Sequence, residues 1–315
     1  MTSRRALLLV LAALACGACS ETPTTTDDAG TAPSDSGAPG VDSGPIDAGP
    51  IREDPAIPAS TGTCPDLSTS GTLTFAPTGL SIERTAQIWV SEAAATMDGP
   101  LVFFWHGNGG SPTEATYALG QDTLDAILAE GGIVVAPIHD PGAGTFPWYL
   151  TGGAEEHDLV LADEIVACAS ETIGIDTHRI HSIGFSAGAL HTSQMSFRRA
   201  SYVASVVTFS GGLLSARRPP TDAADARFAA MVVHGGMDDF VVINFKTASE
   251  SYLRMIQQAG HFGFICDHGM RHTVPGAARA SAWQFLRDHP YGAQPPAYAS
   301  GLPEGFYEPC ALPTP

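Results

Sequence analysis

No stretch constrains this chain more than Gly184-Phe185-Ser186-Ala187-Gly188. Arg179-Ile180-His181-Ser182-Ile183 ahead of it alternates like a short strand, and Ala189-Leu190-His191-Thr192-Ser193-Gln194-Met195 behind it reads as the opening of a helix. Where a strand turns straight into a helix through a serine, the two elements nearly touch, so the flanking positions must be small. The tight turn lifts the Ser186 hydroxyl clear of the sheet, and the next backbone N–H, that of Ala187, points at the oxygen of a bound carbonyl. The alternative is an ordinary strand–helix loop, and the rest of the chain must decide between them.

From about Cys64 onward, β-like runs alternate with helical ones. Leu101-Val102-Phe103-Phe104-Trp105 and Ile133-Val134-Val135-Ala136-Pro137 are continuously apolar, as strands covered on both faces must be. Thr85 to Val90 alternates like a half-exposed strand, and Val203 to Phe209 and Ala230 to Val233 read as further strands. Helical spacing appears over Thr116 to Glu130, Asp158 to Cys168, about Asn244 to Gln258, and Ala277 to Arg287. The pattern predicts an α/β domain with a mainly parallel sheet and helices on both faces, whose chemistry gathers at the carboxyl ends of the strands.

Three motifs sit at such ends. His106-Gly107-Asn108-Gly109-Gly110 follows the strand ending at Trp105. Its glycines let backbone N–H groups face a substrate oxygen, and Asn108 and Ala187 are the expected pair of oxyanion donors, with His106 orienting the loop. No Gly-Lys-Ser/Thr follows, which argues against a phosphate cradle. His234-Gly235-Gly236-Met237-Asp238-Asp239 offers two acids, of which Asp238 is the expected partner of a catalytic imidazole and Asp239 the fallback. Cys266 to Pro275 carries His268 and His272 in a glycine-bearing loop. With the order serine, acid, histidine, the candidate bases are His261, His268, His272 and His289. His289 reads as surface and His261 as structural, so His272 is preferred over His268. Its spacing from His268 could mimic a metal pair, but a Gly/Pro loop is a poor place for one, and no metal site is expected. Phe146-Pro147-Trp148-Tyr149 is a candidate aromatic wall for the substrate, Trp148 above all, or else plain loop packing.

Taken together, the His-Gly-x-Gly-Gly loop, Gly184 to Gly188, His234-Gly-x-x-Asp238 and Asp267-His268-Gly-x-x-His272 resemble the extracellular feruloyl esterase and polyhydroxybutyrate-depolymerase-like group of α/β-hydrolases, over about residues 72–290. The resemblance implies a cofactor-free serine esterase with Ser186, Asp238 and His272 as its triad, acting on feruloyl, acetyl or hydroxyalkanoate esters. The chain departs from that pattern at Met270-Arg271 and at Asn108, where cysteine is common. A peptidase of the same fold, a lipase and an inactive surface binding protein are the competing readings.

The ends of the chain speak to location. Arg4 and Arg5 precede an apolar run from Ala6 to Ala15, signal-like and too short to span a bilayer, and Cys16-Gly17-Ala18-Cys19 follows. This resembles a lipoprotein signal over residues 1–19, with Cys16 (or Cys19) lipidated; a plain secretory peptide cleaved near Ala18 is the alternative. Residues 20–60, rich in Thr, Pro, Ser and Gly and carrying eight acids against Arg52 alone, read as a disordered acidic tether, leaving residues 61–315 as the catalytic domain. A formal net charge of −18 argues against nucleic acid as a partner. Membrane contact is expected only through the lipid anchor. Export makes disulfides plausible among Cys64, Cys168, Cys266 and Cys310, with three pairings open.

Overall fold

The computed structural model describes residues 49–51, 53–151, 154 and 156–313, so residues 1–19, with Cys16 and Cys19, and residues 20–48 lie outside the described residues. The described chain forms a sheet of β1 (Gly71–Phe75), β2 (Arg84–Trp89), β3 (Leu101–Trp105), β4 (Ile133–Pro137), β5 (Ile180–Phe185), β6 (Ser205–Phe209), β7 (Ala229–His234), β8 (Phe262–Asp267) and β9 (Cys310–Ala311). Their order is β1-β2-β4-β3-β5-β6-β7-β8-β9. The six strands from β4 to β8 in that order are parallel, while β1, β2 and β9 pair antiparallel at the edges.

The apolar strands are explained by two cores. Leu101, Phe103 and Trp105 point into one, beneath α3 (His157–Thr172), α4 (Ala187–Arg198) and α5 (Phe245–Gln258). Val102 and Phe104 point into the other, beneath α1 (Glu114–Leu119), α2 (Gln121–Ala129) and α6 (Arg279–Asp288). Alternate side chains of one strand therefore serve opposite faces, and each is buried. The single helix expected over Thr116 to Glu130 is two helices broken at Gly120, whose φ of 78° leaves the right-handed helical region.

Two disulfides close the body. Cys64–Cys168 ties the segment ahead of β1 to α3, and Cys266–Cys310 ties β8 to β9. A buried ion pair, Arg84 to Asp158 at 2.8 Å, anchors β2 to the start of α3, and Asp158 also accepts the Tyr149 N–H.

The expected end of the tether at residue 60 needs correction. Ile51 bridges to Ala293, the Ala56 N–H donates to the Ser201 carbonyl, and Ser60 donates twice to Glu171. Residues 53–60 are thus bonded to the body, which their Pro- and Ala-rich sequence concealed. His289 also differs from expectation, being 3% exposed and stacked on Phe262 rather than on the surface. Among the described residues no helix is long and apolar enough to cross a membrane.

Candidate active site

β5 delivers Ser186 at its carboxyl end. The serine adopts φ 55° and ψ −119°, a strained backbone for a residue with a Cβ, and is the residue before α4. The flanking glycines are steric necessities. A Cβ on Gly188 would lie 1.8 Å from the Trp105 carbonyl oxygen, and one on Gly184 would lie 2.3 Å from that of Gly188. The Ser186 N–H is tied to the Phe209 carbonyl at 2.9 Å, so the turn is held to the neighbouring strand.

His272 comes from the loop after β8. Its Nε2 lies 2.9 Å from Ser186 Oγ and its Nδ1 lies 2.8 Å from Asp239 Oδ1. A carboxylate only accepts, so Nδ1 carries the proton and Nε2 turns a lone pair to the serine hydroxyl, which donates. The ring lies between Phe185 and Phe245, at centroid distances of 4.9 and 4.7 Å. Phe185 is the variable residue of the serine motif itself, and Phe245 opens α5.

The expectation for the acid is corrected by this geometry. Asp238 is exposed, with its carboxylate 4.0 Å from the Arg271 guanidinium, and does not meet His272. Asp239 is fully buried, and it holds three donors: His272 Nδ1–H, the Gly235 N–H at 2.8 Å and the Ser210 hydroxyl at 2.8 Å. A turn closed by the Asp239 N–H on the Gly236 carbonyl, with Gly236 at φ 83°, swings the second aspartate back over the end of β7. Burial alone would push the Asp239 carboxyl up; the three donors outweigh it and hold it below the ordinary carboxylate value. Ser210, at φ 51°, carried no signal in the sequence.

Glycine-rich residues 106–110 lie against the serine. A Cβ on Gly107 would be 3.3 Å from Ser186 Cβ. Gly107 N–H donates to Glu114 at 2.6 Å, and its carbonyl accepts from His106 Nδ1 at 2.8 Å and from the Gly110 N–H at 3.0 Å. The Asn108 and Ala187 N–H groups have no acceptor in the bonding pattern of the described residues. His106 is buried, which pushes its pKa down; its Nε2 faces His139 Nδ1 at 3.2 Å.

Trp148 also needs correction. It has no exposed surface, so it cannot wall a substrate; it lies beneath the loop and donates from Nε1 to the His106 carbonyl at 2.9 Å. The exposed apolar side chains near the site are instead Met237, Phe240, Val241, Val242 and Met270, on the two loops that carry Asp239 and His272. Nothing in their spacing had singled them out.

The other histidines are placed elsewhere. His268 accepts the Met270 N–H and does not reach Ser186; His261 is buried against Phe228. Buried His234 accepts the Gly236 N–H, and desolvation pushes its pKa down. Among the described residues no group of three or more His, Cys, Asp or Glu side chains is placed to hold a metal ion.

Comparison with known proteins bears on the same region. Residues 160–289, from α3 to just past α6, match the family model described as Phospholipase/Carboxylesterase. No curated protein sequence matches the chain. Among solved structures, a variant of the protein pOPH in complex with DMSO is 17% identical, with a TM-score of 0.64, covering 82% of this chain and 96% of its own. Native sOPH is 14% identical, with a TM-score of 0.61 and coverages of 80% and 98%. A thermostable esterase is 18% identical, with a TM-score of 0.56 and coverages of 70% and 63%. At such identities the likeness is one of fold: the chain has the α/β-hydrolase fold.

Proposed function

We propose that this chain is a serine carboxylic-ester hydrolase in which Ser186 is the nucleophile, His272 the general base and Asp239 the residue that orients the imidazole. One observation carries the reading: Ser186 Oγ, His272 and buried Asp239 form a continuous relay of 2.9 and 2.8 Å on a strained strand–helix turn. The esterase part of the reading is also supported by the family model over residues 160–289, whose description names carboxylesterases.

The steps follow from the atoms. His272 Nε2 takes the Ser186 proton as Oγ attacks the ester carbonyl, and buried Asp239 stabilises the imidazolium. The N–H groups of Asn108 and Ala187 receive the oxyanion. The alcohol leaves with the proton from His272, giving an acyl-serine, and water repeats the sequence to free the acid. No cofactor takes part. Exposed Met237, Phe240, Val242 and Met270 beside the relay support an ester with an apolar portion, of the feruloyl, acetyl or hydroxyalkanoate kind, presented by a plant polysaccharide or a polyester.

The two disulfides support an exported protein, and the sequence of residues 1–19 supports a lipid anchor at Cys16 or Cys19 on a bacterial envelope. Mass spectrometry of the mature N-terminus tests the anchor; an unacylated terminus would exclude it. The function is tested by hydrolysis of p-nitrophenyl acetate and butyrate beside Ser186→Ala. Turnover that disappears in a folded Ser186→Ala protein is expected, and equal rates in the two proteins would overturn the reading.

A further inference from the structure

Around Gly107, in the loop that carries Asn108, three of the four polar backbone atoms of the flanking peptide planes are bonded within the described residues. Two peptide planes flank Gly107. In the first, the His106 carbonyl accepts from Trp148 Nε1 at 2.9 Å and the Gly107 N–H donates to Glu114 Oε2 at 2.6 Å. In the second, the Gly107 carbonyl accepts from His106 Nδ1 at 2.8 Å and from the Gly110 N–H at 3.0 Å. The only group of these planes left over is the Asn108 N–H.

Planarity turns this bonding into aim. In a trans peptide the carbonyl and the N–H point in opposite directions. Two donors fix the Gly107 carbonyl, so the Asn108 N–H is directed away from the His106 ring. Gly107 itself lies against Ser186. Its own N–H, the donor next to that of Asn108, is committed to Glu114. A carbonyl can only accept, so His106 must hold its proton on Nδ1, and His139 Nδ1–H then donates to Nε2 at 3.2 Å.

We infer that Glu114 and Trp148, with His106, are positioning residues: they lock the peptide planes on either side of Gly107 so that the Asn108 N–H, and not that of Gly107, stands ready for the oxyanion. This rests on the proposed acyl transfer at Ser186. Neither side chain touches substrate. Trp148 has no exposed surface, and Glu114 acts through a backbone N–H from the first residue of α1. Burial pushes the Glu114 carboxyl up, but either protonation state leaves an oxygen to accept, so an amide oxygen should serve in its place.

The test compares Glu114→Ala, Glu114→Gln and Trp148→Phe with wild type in the full folded domain. Three readouts are needed: kcat and KM for p-nitrophenyl butyrate, inhibition by phenylboronic acid, and thermal unfolding. The boronate forms a tetrahedral adduct with the serine oxygen and so reports the oxyanion site separately from ground-state binding. Misplacing a catalytic group by about 1 Å costs up to about 10²-fold, so Glu114→Ala and Trp148→Phe should each lower kcat by roughly 10- to 100-fold. KM should stay within about twofold, because ground-state binding is untouched. Boronate inhibition should weaken in step with kcat, and Glu114→Gln should recover most of the loss. Trp148→Phe removes the donor together with part of the indole but keeps a buried aromatic ring, and it is a second variant should Glu114→Ala fail to fold. A fall in kcat with unchanged boronate affinity, or wild-type kcat in both Glu114→Ala and Trp148→Phe, would overturn the clamp while Ser186→Ala remained inactive. A wild type that neither hydrolyses the ester nor binds boronate would instead remove the esterase reading beneath it.

Discussion

Asp239 meets His272 through a 2.8 Å hydrogen bond, while Asp238, one residue earlier, reaches only toward Arg271 at the surface. The two acids differ in surroundings rather than chemistry, and substitution should separate them sharply. Asp239→Asn removes the charge that fixes the imidazole tautomer and should lower kcat by about 10³- to 10⁴-fold. Asp238→Asn, exposed and weakly paired, should stay within about twofold of wild type in kcat and within about 0.5 kcal/mol in stability. Steady-state kinetics on p-nitrophenyl butyrate decide the matter, and a large loss in Asp238→Asn would return the role to that residue.

Stability should fall as the solution is acidified through the range of the buried histidines. His191, His261 and His289 are pushed down to about 4, and His181 to about 3, from 6.5, in each case chiefly by burial. Below 6.5 the unfolded chain therefore binds protons that the folded one refuses. The stability held by these neutral rings is complete above 6.5 and drains away as pH drops toward their folded values. His191, packed 4.2 Å from the Trp105 ring, is a clean probe. Urea unfolding between pH 4.5 and 6.5 should show a slope of log K against pH that is shallower by about one proton in His191→Gln. Parallel curves would mean that His191 is charged in the folded protein.

The sequence revealed the sheet and the serine turn because both follow from local rules. Unbroken apolar runs such as Leu101 to Trp105 require two covered faces, and Gly184 and Gly188 are dictated by contacts under 2.5 Å. What stayed hidden depended on the direction of side chains over short distances. Two adjacent aspartates share composition and spacing, and only the turn from Gly236 to Asp239 decides which is carried inward. Trp148 read as an aromatic wall because an aromatic loop near a strand end can face either way. Its Nε1–H found a backbone carbonyl below the loop instead. Glu114 gave no signal, since a glutamate opening a helix is ordinary until its carboxylate is seen to hold a glycine N–H.

The disulfides should separate stability from activity. Cys64–Cys168 closes a separation of 104 residues and Cys266–Cys310 one of 44. Chain entropy gives each about 4–5 kcal/mol, so loss of either pair should lower the melting temperature clearly. Their effects on catalysis should differ. Cys266 precedes Asp267, whose N–H donates to the Pro309 carbonyl at 3.1 Å, and the loop to His272 starts there. The double variant Cys266→Ser, Cys310→Ser should therefore lose kcat as well as melting temperature. Cys64→Ser, Cys168→Ser should lose melting temperature alone. Equal kcat in both, measured well below unfolding, would show that β9 does not hold the histidine loop.

Two glycines of the acid and histidine loops give a final contrast. A Cβ on Gly235 would fall 1.7 Å from the Arg271 carbonyl oxygen, next to His272, while Gly235 N–H donates to Asp239. A methyl group there must push apart the two loops that the Arg271 N–H and Gly235 carbonyl hold together at 3.0 Å. Gly269, in the histidine loop, has φ 65° and nothing within 4 Å of its Cβ position. Gly269→Ala meets only backbone strain of about 1–2 kcal/mol and should keep kcat near wild type. Gly235→Ala displaces the imidazole from the serine, and a shift of about 1 Å should cost about 10²-fold in kcat. Kinetics and melting of the two variants side by side test this; an active Gly235→Ala would mean that the loops yield without moving His272.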